Sequence, residues 1–314
     1  MNTSMRDAFL DELYNIAQKD RQVILISNDF GAPSLDKFRR DCASQFIHIG
    51  IAEQNMVNVA TGLTMAGKLV YMYSIAPFLP LRCYEQIRVH LSFKRYHVTA
   101  VMVGAGYSYD LSGPSHQALE DIAVMNALPG ITIYNASDSV MSAAFARITY
   151  QEPGPKYVRF DREKFPVLYN GKEVDFSDGM AVLKEGRDLA IIATGIMVHQ
   201  AFKVAAELAK HSIDASIIDL YRIKPLNEKL LFNSINKTKR VLSIEESFVN
   251  SGIGSIISNF ITESGEDVKL KTIGIPNRYF GSGKSRQELH QLSGLDVDSI
   301  VNTTLEFLKR VESK

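Results

Sequence analysis

Short, wholly apolar runs alternate with segments of helical period along nearly the whole chain, and that alternation limits the fold more than any other feature. Residues 23–26 (Val-Ile-Leu-Ile), 98–103 and 189–194 are too short and too uniformly apolar for surface helices or half-exposed strands. They suit parallel strands buried on both faces. Between them, Phe9, Leu10, Leu13, Ile16 and Ala17 recur at helical spacing, as do apolar positions over 52–65, 84–93, 118–126 and 139–150. Further strands are expected at 68–73, 131–134 and 157–160. Strand–helix alternation of this kind implies βαβ units and sheets covered by helices on both sides. The polar stretch 170–179 interrupts the pattern, which then resumes with strands at 215–219, 240–244 and 269–273 and helices at 198–210, 252–262 and 299–311. The expected fold class is therefore α/β, in two domains, 1–178 and 179–314, each a mainly parallel sheet flanked by helices. A chain of 314 residues is long enough for two such cores,.

Composition removes several classes of function. Lys and Arg total 35 against 35 Asp and Glu, so there is no basic footprint for nucleic acid or an acidic membrane,. No apolar run approaches the ~18 residues of a membrane span. Asp7, Asp11 and Glu12 interrupt the first segment, which does not read as a signal peptide,. The two cysteines, Cys42 and Cys83, neither staple the fold nor form a metal site, which fits a cytoplasmic protein,. The seven histidines show no zinc spacing,. Gly281-Ser282-Gly283-Lys284-Ser285 ends like a phosphate-binding loop, yet Arg278 stands where its first glycine belongs,. Gly104-Ala105-Gly106 and Gly252-Ile253-Gly254 each lack the third glycine of a dinucleotide fingerprint,. Gly106-Tyr107-Ser108-Tyr109-Asp110 lacks the second glycine of a nucleophile elbow,.

One segment carries chemistry. In His48-Ile49-Gly50-Ile51-Ala52-Glu53-Gln54-Asn55-Met56-Val57, Glu53 sits among small and apolar residues at the start of an expected helix, where the helix dipole favours a carboxylate,. On pattern alone this could be a helix-terminal carboxylate without chemical consequence. The segment resembles the pyrimidine-binding domain of the transketolase family of thiamine diphosphate enzymes. The resemblance continues through Tyr84-Glu85-Gln86-Ile87-Arg88, Ser112-Gly113-Pro114-Ser115-His116-Gln117 and Tyr157-Val158-Arg159-Phe160-Asp161-Arg162. It then runs on through Ile192-Ala193-Thr194-Gly195, Ile218-Asp219-Leu220, Lys224-Pro225-Leu226 and Glu245-Glu246, in the family's order.

The resemblance implies thiamine diphosphate as cofactor, with Glu53 as the buried glutamate that drives its aminopyrimidine to the imino tautomer. It implies that His116 faces the substrate and takes part in catalysis, and that Arg162 meets a substrate phosphate. Ser112 stands where the family carries a sugar-binding aspartate, and Asp110 is the nearest substitute. Ala76 and Leu79 occupy positions where relatives carry phenylalanines, so Phe78 and Leu79 are the candidates for gripping the pyrimidine. His48 fits the family pattern in a supporting role, and Arg159 fits a structural ion pair. The family's Gly-Asp-Gly motif, which holds the diphosphate through a divalent ion such as Mg²⁺, occurs nowhere in the chain. The expected protein is thus one subunit of a split transketolase, moving two-carbon ketol units between sugar-like substrates. Its partner would be an N-terminal subunit carrying the diphosphate-binding domain and most of the metal site, in an α2β2 assembly. A β subunit of a 2-oxo-acid dehydrogenase, a deoxyxylulose-phosphate-synthase-like enzyme and a non-catalytic paralogue are the alternatives.

Overall fold

A computed structural model describes residues 3–28, 31–170 and 174–312. Among these residues twelve strands form two sheets: β1 (Val23–Ser27), β2 (Phe46–His48), β3 (Leu69–Ile75), β4 (Val98–Val103), β5 (Thr132–Asn135), β6 (Lys156–Phe160), β7 (Met180–Lys184), β8 (Leu189–Ala193), β9 (Ala215–Leu220), β10 (Arg222–Lys224), β11 (Arg240–Phe248) and β12 (Lys269–Ile275). The first sheet has the order β10-β5-β6-β4-β3-β1-β2 and the second β12-β11-β8-β9-β7. All pairs are parallel except those at two edges, β10 with β5 and β7 with β9. Two α/β units with mainly parallel sheets flanked by helices are the observed architecture.

The uniformly apolar strands are buried because each face meets its own layer of helices. On β1, Ile24 and Ile26 enter one core with Met56, Val57 and Ala60 of the helix Glu53–Met65. Val23 and Leu25 enter the opposite core with Phe9, Leu10 and Leu13 of the helix Met5–Ala17 and with Phe145 of the helix Ser139–Gln151. Both of those helices are capped as their sequences suggest. Ser4 accepts from Asp7 N, and Asp138 accepts from Met141 N at 2.8 Å,.

Several elements depart from the sequence pattern. The segment expected as one helix over 84–93 is a short α-turn, Tyr84–Gln86, followed by a wider π-turn, Ile87–Ser92. The helix expected from 118 begins at Asp121, because Ala118 is engaged in a bridge with Ala105 and Gly106. The Gly281–Ser285 run is a helix start: Ser285 and Glu288 form a capping box at the head of the helix Arg286–Ser293,. The polar stretch at 170–179 falls outside the described residues at 171–173. Beyond it Gly179 leads into β7, and β10 crosses back to extend the first sheet, so the two halves share a sheet edge.

Candidate active site

The parallel strands of the first sheet all present their carboxyl ends to one side, where open α/β sheets place their ligands. Asn28 follows β1, Glu53 follows β2, residues 76–82 follow β3, and the loop 104–117 follows β4. Glu53 is the first residue of its helix, and its side chain is 5 % exposed. Asn28 Nδ2 donates to Glu53 Oε1 at 3.3 Å and to Ser74 Oγ at 2.8 Å, and Arg82 Nη1 donates to the same Oε1 at 3.1 Å. Among the described residues every bond given to this carboxyl falls on Oε1. The carboxyl faces a cavity of about 430 Å³ beside Ile51, Ala52, Gln54 and Asn55. Ile51 is 72 % exposed, so an apolar side chain stands open to solvent next to a buried carboxyl.

Arg82 lines this cavity and also a second one of about 560 Å³ that contains Phe78, His116, Gln117, Glu120 and Tyr279. The Arg82 guanidinium lies 3.9 Å from the centre of the Phe78 ring, and Phe78 meets the His116 ring edge-on at 5.3 Å,. His116 is half-buried, with Nδ1 2.9 Å from Ser115 Oγ. Glu53, Arg82, Phe78 and His116 thus form one continuous wall.

The remaining candidates fall outside that wall. Leu79 is fully buried in the core beneath the helix Glu53–Met65 and lines neither cavity. Arg162 is exposed; its Nε donates to Ser108 O at 2.8 Å, and its guanidinium lies 4.9 Å from the centre of the Tyr109 ring. Tyr109 in turn meets His116 at 6.3 Å, so Arg162 stands one ring away from the histidine. Asp110 accepts from Leu111 N at 2.8 Å and from Arg286 N at 3.0 Å, which ties its loop to the second half of the chain. Ser112 is exposed on the short turn Asp110–Ser112. His48 is exposed at the end of β2, whereas Arg159 is buried against Asp121 with Nε 2.8 Å from Oδ2.

The loop 104–117 is held from below by a buried ionic cluster that sequence reasoning missed. Arg286 Nη2 lies 2.7 Å from Asp161 Oδ2 and 2.5 Å from Glu246 Oε2, and His290 Nε2 lies 2.5 Å from Glu246 Oε1. Glu246 Oε2 also accepts from Tyr107 N at 2.9 Å. Burial alone would raise the Glu246 carboxyl, but Arg286 and His290 hold it well below the usual carboxylate range,. Gly106 makes the approach possible: its φ is +58°, and a Cβ there would lie 2.1 Å from Glu246 Oε2,. No local sequence signal marks Arg82, Tyr279 or Arg286, whose roles depend on contacts far along the chain.

Among the described residues, no group of three or more His, Cys, Asp or Glu is placed to hold a metal ion, and no helix is long and apolar enough to cross a membrane.

Comparison with known proteins identifies the family. Residues 1–167 match the family described as "Transketolase, pyrimidine binding domain", and residues 179–300 match "Transketolase, C-terminal domain". One of the subunits of the apulose-4-phosphate transketolase of Phocaeicola vulgatus is 32% identical over 307 residues, covering 97% of this chain and 97% of the relative. A 6-deoxy-6-sulfo-D-fructose transketolase subunit of Clostridium sp. strain MSTE9 is 32% identical over 309 residues, covering 98% of this chain and 95% of its own. A solved structure described as a split gene transketolase, inactive beta4 tetramer, superposes with a TM-score of 0.87 at 28% identity, covering 98% of this chain and 99% of that one.

Proposed function

The chain belongs to the transketolase family as a subunit of a split, thiamine diphosphate-dependent transferase, and from that premise we propose that it moves a two-carbon ketol unit between sugar-like substrates, phosphorylated or not. The observation that carries the reading is Glu53, a buried carboxyl at a helix start, open to a cavity shared through Arg82 with Phe78 and His116. That setting fits the pyrimidine end of the cofactor, with one polar anchor against a ring nitrogen and apolar surface from Ile51 and Phe78 beside it. The cofactor, when bound, supplies the nucleophilic carbon and the store for the transferred unit's electrons.

The chain's own residues do the rest. Glu53 holds a proton against the pyrimidine nitrogen, and Asn28, itself bonded to Ser74, fixes the carboxyl's orientation,. His116, with Nδ1 engaged by Ser115, directs Nε2 toward substrate oxygens,. Arg162 binds the substrate's distal end, as a bidentate partner where that end is a phosphate. Phe78 walls the pyrimidine side. Leu79 backs that wall from the core, and Asp110 and Ser112 border the substrate loop. Residues 1–178 form the cofactor-facing domain and 179–314 the domain that braces it.

The diphosphate and its Mg²⁺ or similar ion belong to a second subunit carrying the diphosphate-binding domain, two copies of each chain making an α2β2 enzyme. Two free, buried cysteines suit a cytoplasmic location,. The test is ketol transfer from hydroxypyruvate to glycolaldehyde by chain and partner with cofactor and Mg²⁺. Glu53→Gln should abolish turnover while far-UV circular dichroism and assembly stay as in the wild type. Retention of more than about a tenth of the rate, a barrier change under ~1.4 kcal/mol, would remove Glu53 from the mechanism. Isolated chain should bind no thiamine diphosphate by calorimetry, and stoichiometric binding by this chain alone would overturn the split.

A further inference from the structure

One wall of the cavity that holds His116 comes from the second half of the chain. Tyr279 lies between β12 and the helix Arg286–Ser293, and its hydroxyl donates to Glu120 Oε1. Its ring is 57 % exposed and braced edge-on by Phe248 at 5.4 Å. Near it is Gln117, only 2 % exposed. Its Nε2 donates to Asp110 O at 3.3 Å, which fixes the amide's orientation, while its Oε1 has no partner among the described residues. Gln117 thus stands in the cavity wall with its amide held by the loop backbone. Besides Arg82, the polar residues that line the cavity are Ser115, His116, Gln117, Glu120 and Tyr279. They offer acceptors and a switchable hydroxyl, which match alcohol groups. The charges point the same way. Among the described lining residues Arg82 is the one Lys or Arg, and it is paired with Glu53. A phosphate in this cavity would therefore face the Glu120 carboxylate without a cation of its own.

We propose that this cavity reads the hydroxyl groups of an uncharged stretch of the sugar chain, with Tyr279 as a specificity-determining residue. The C-terminal half thereby contributes directly to substrate choice. The inference rests on the transketolase reading above, and its test separates the two. The assembled enzyme, wild type and Tyr279→Phe, is assayed with hydroxypyruvate as donor. The acceptors are glycolaldehyde, which has no carbon chain beyond a single hydroxymethyl group, and the unphosphorylated aldoses D-glyceraldehyde, D-erythrose and D-ribose. The substitution removes one hydroxyl from a partly exposed ring and keeps the ring's packing. KM for at least one longer aldose should rise about fivefold or more, as loss of one hydrogen bond to substrate would give. KM for glycolaldehyde and kcat for all acceptors should stay within about twofold of the wild type. The proposal is overturned by an equal rise for glycolaldehyde, by no change for the longer aldoses, or by a wild-type enzyme that uses glycolaldehyde but none of those aldoses. A wild-type assembly without ketol transfer to any acceptor would instead overturn the transketolase reading, and this inference with it.

Discussion

Arg286→Met should uncouple the two halves of the molecule, and the cost can be worked from the cluster it leaves behind. Arg286 binds Asp161 at the end of β6 in the first sheet and Glu246 on β11 in the second, both deeply buried. Methionine fills much of the same volume but removes the cation, so two carboxylates then face one another with water excluded. Breaking a buried pair by deleting one partner costs about 3–5 kcal/mol. Here two anions lose the same cation, which places the expected loss in the upper part of that range. The pH dependence gives the sharper reading. In the wild type the Glu246 carboxyl lies below the usual range because Arg286 and His290 outweigh its burial. A depressed folded-state value contributes stability that is complete above the unfolded carboxylate's value of about 4.3 and is lost only as pH falls through the folded value. The wild-type contribution is therefore flat from mildly acid to neutral pH. In the variant, burial and the facing anion raise the pair's affinity for a proton, and they outweigh His290 and the Tyr107, Ser108 and Glu163 donors that oppose them. The folded variant takes up a proton that the unfolded chain does not, so it recovers stability as pH falls from about 7.5 to about 5. The chain has no tryptophan, so urea unfolding is followed by far-UV circular dichroism, both proteins in parallel. A loss under about 1 kcal/mol, the size of a surface pair, or one that does not change with pH, would refute the claim that this cluster joins the halves.

Two further outcomes follow from the same interface. Burial pushes the Asp219 carboxyl up to about 7 although Ser137 and Tyr169 donate to it, so its contribution to stability is complete below about pH 4 and lost as pH rises through 7,. Asp219→Asn should remove that decline, seen as a flatter plot of Tm against pH; a plot parallel to the wild type's would exclude Asp219 as its source. Gly106→Ala should cost about 2–4 kcal/mol from its left-handed backbone and the clash with Glu246,, and should lower ketol transfer by displacing the 107–117 loop. A variant with wild-type urea midpoint and rate would show that the loop accommodates a Cβ there.

The elements that the sequence displayed clearly are those whose pattern is local. Ile24 and Ile26 meet one core and Val23 and Leu25 the other, so β1 reads as an unbroken apolar run, as does β8. The elements it hid are edge or bridging pieces. In β7 only Met180 is buried, the rest being half-buried or exposed, and β10 has three residues of which only Ile223 is buried. Neither presents an apolar run, and β10's partner, β5, lies about ninety residues earlier in the chain, a separation no local window spans. The helix Arg286–Ser293 was hidden for a different reason. Its capping box, Ser285 with Glu288, overlaps a Gly-Ser-Gly-Lys-Ser run that resembles a phosphate loop,.

The site divides in the same way. Glu53 and His116 can be proposed from the sequence because a motif surrounds each one, whereas the groups that set their surroundings are dispersed: Asn28 and Arg82 on the Glu53 carboxyl, Tyr279 and Arg286 around the His116 loop. Glu245 and Glu246 show why such information cannot be read from letters alone. They are adjacent on β11, and the strand turns them to opposite faces,. Glu245 accepts from Ile253 N at 2.8 Å and Gly254 N at 2.9 Å at the head of the helix Ile253–Ser264, and burial pushes its carboxyl up to about 7 against those donors. Glu246, one residue on, meets Arg286 and His290 and is held low. The same side chain therefore caps a helix inside one half at one position and binds the halves together at the next. The difference lies in Arg286, forty residues downstream, which reaches Glu246 and not Glu245. The loop 104–117 inherits that choice, because Glu246 receives Tyr107 N and Arg286 N reaches Asp110. The second half of the chain thus positions the loop that carries His116.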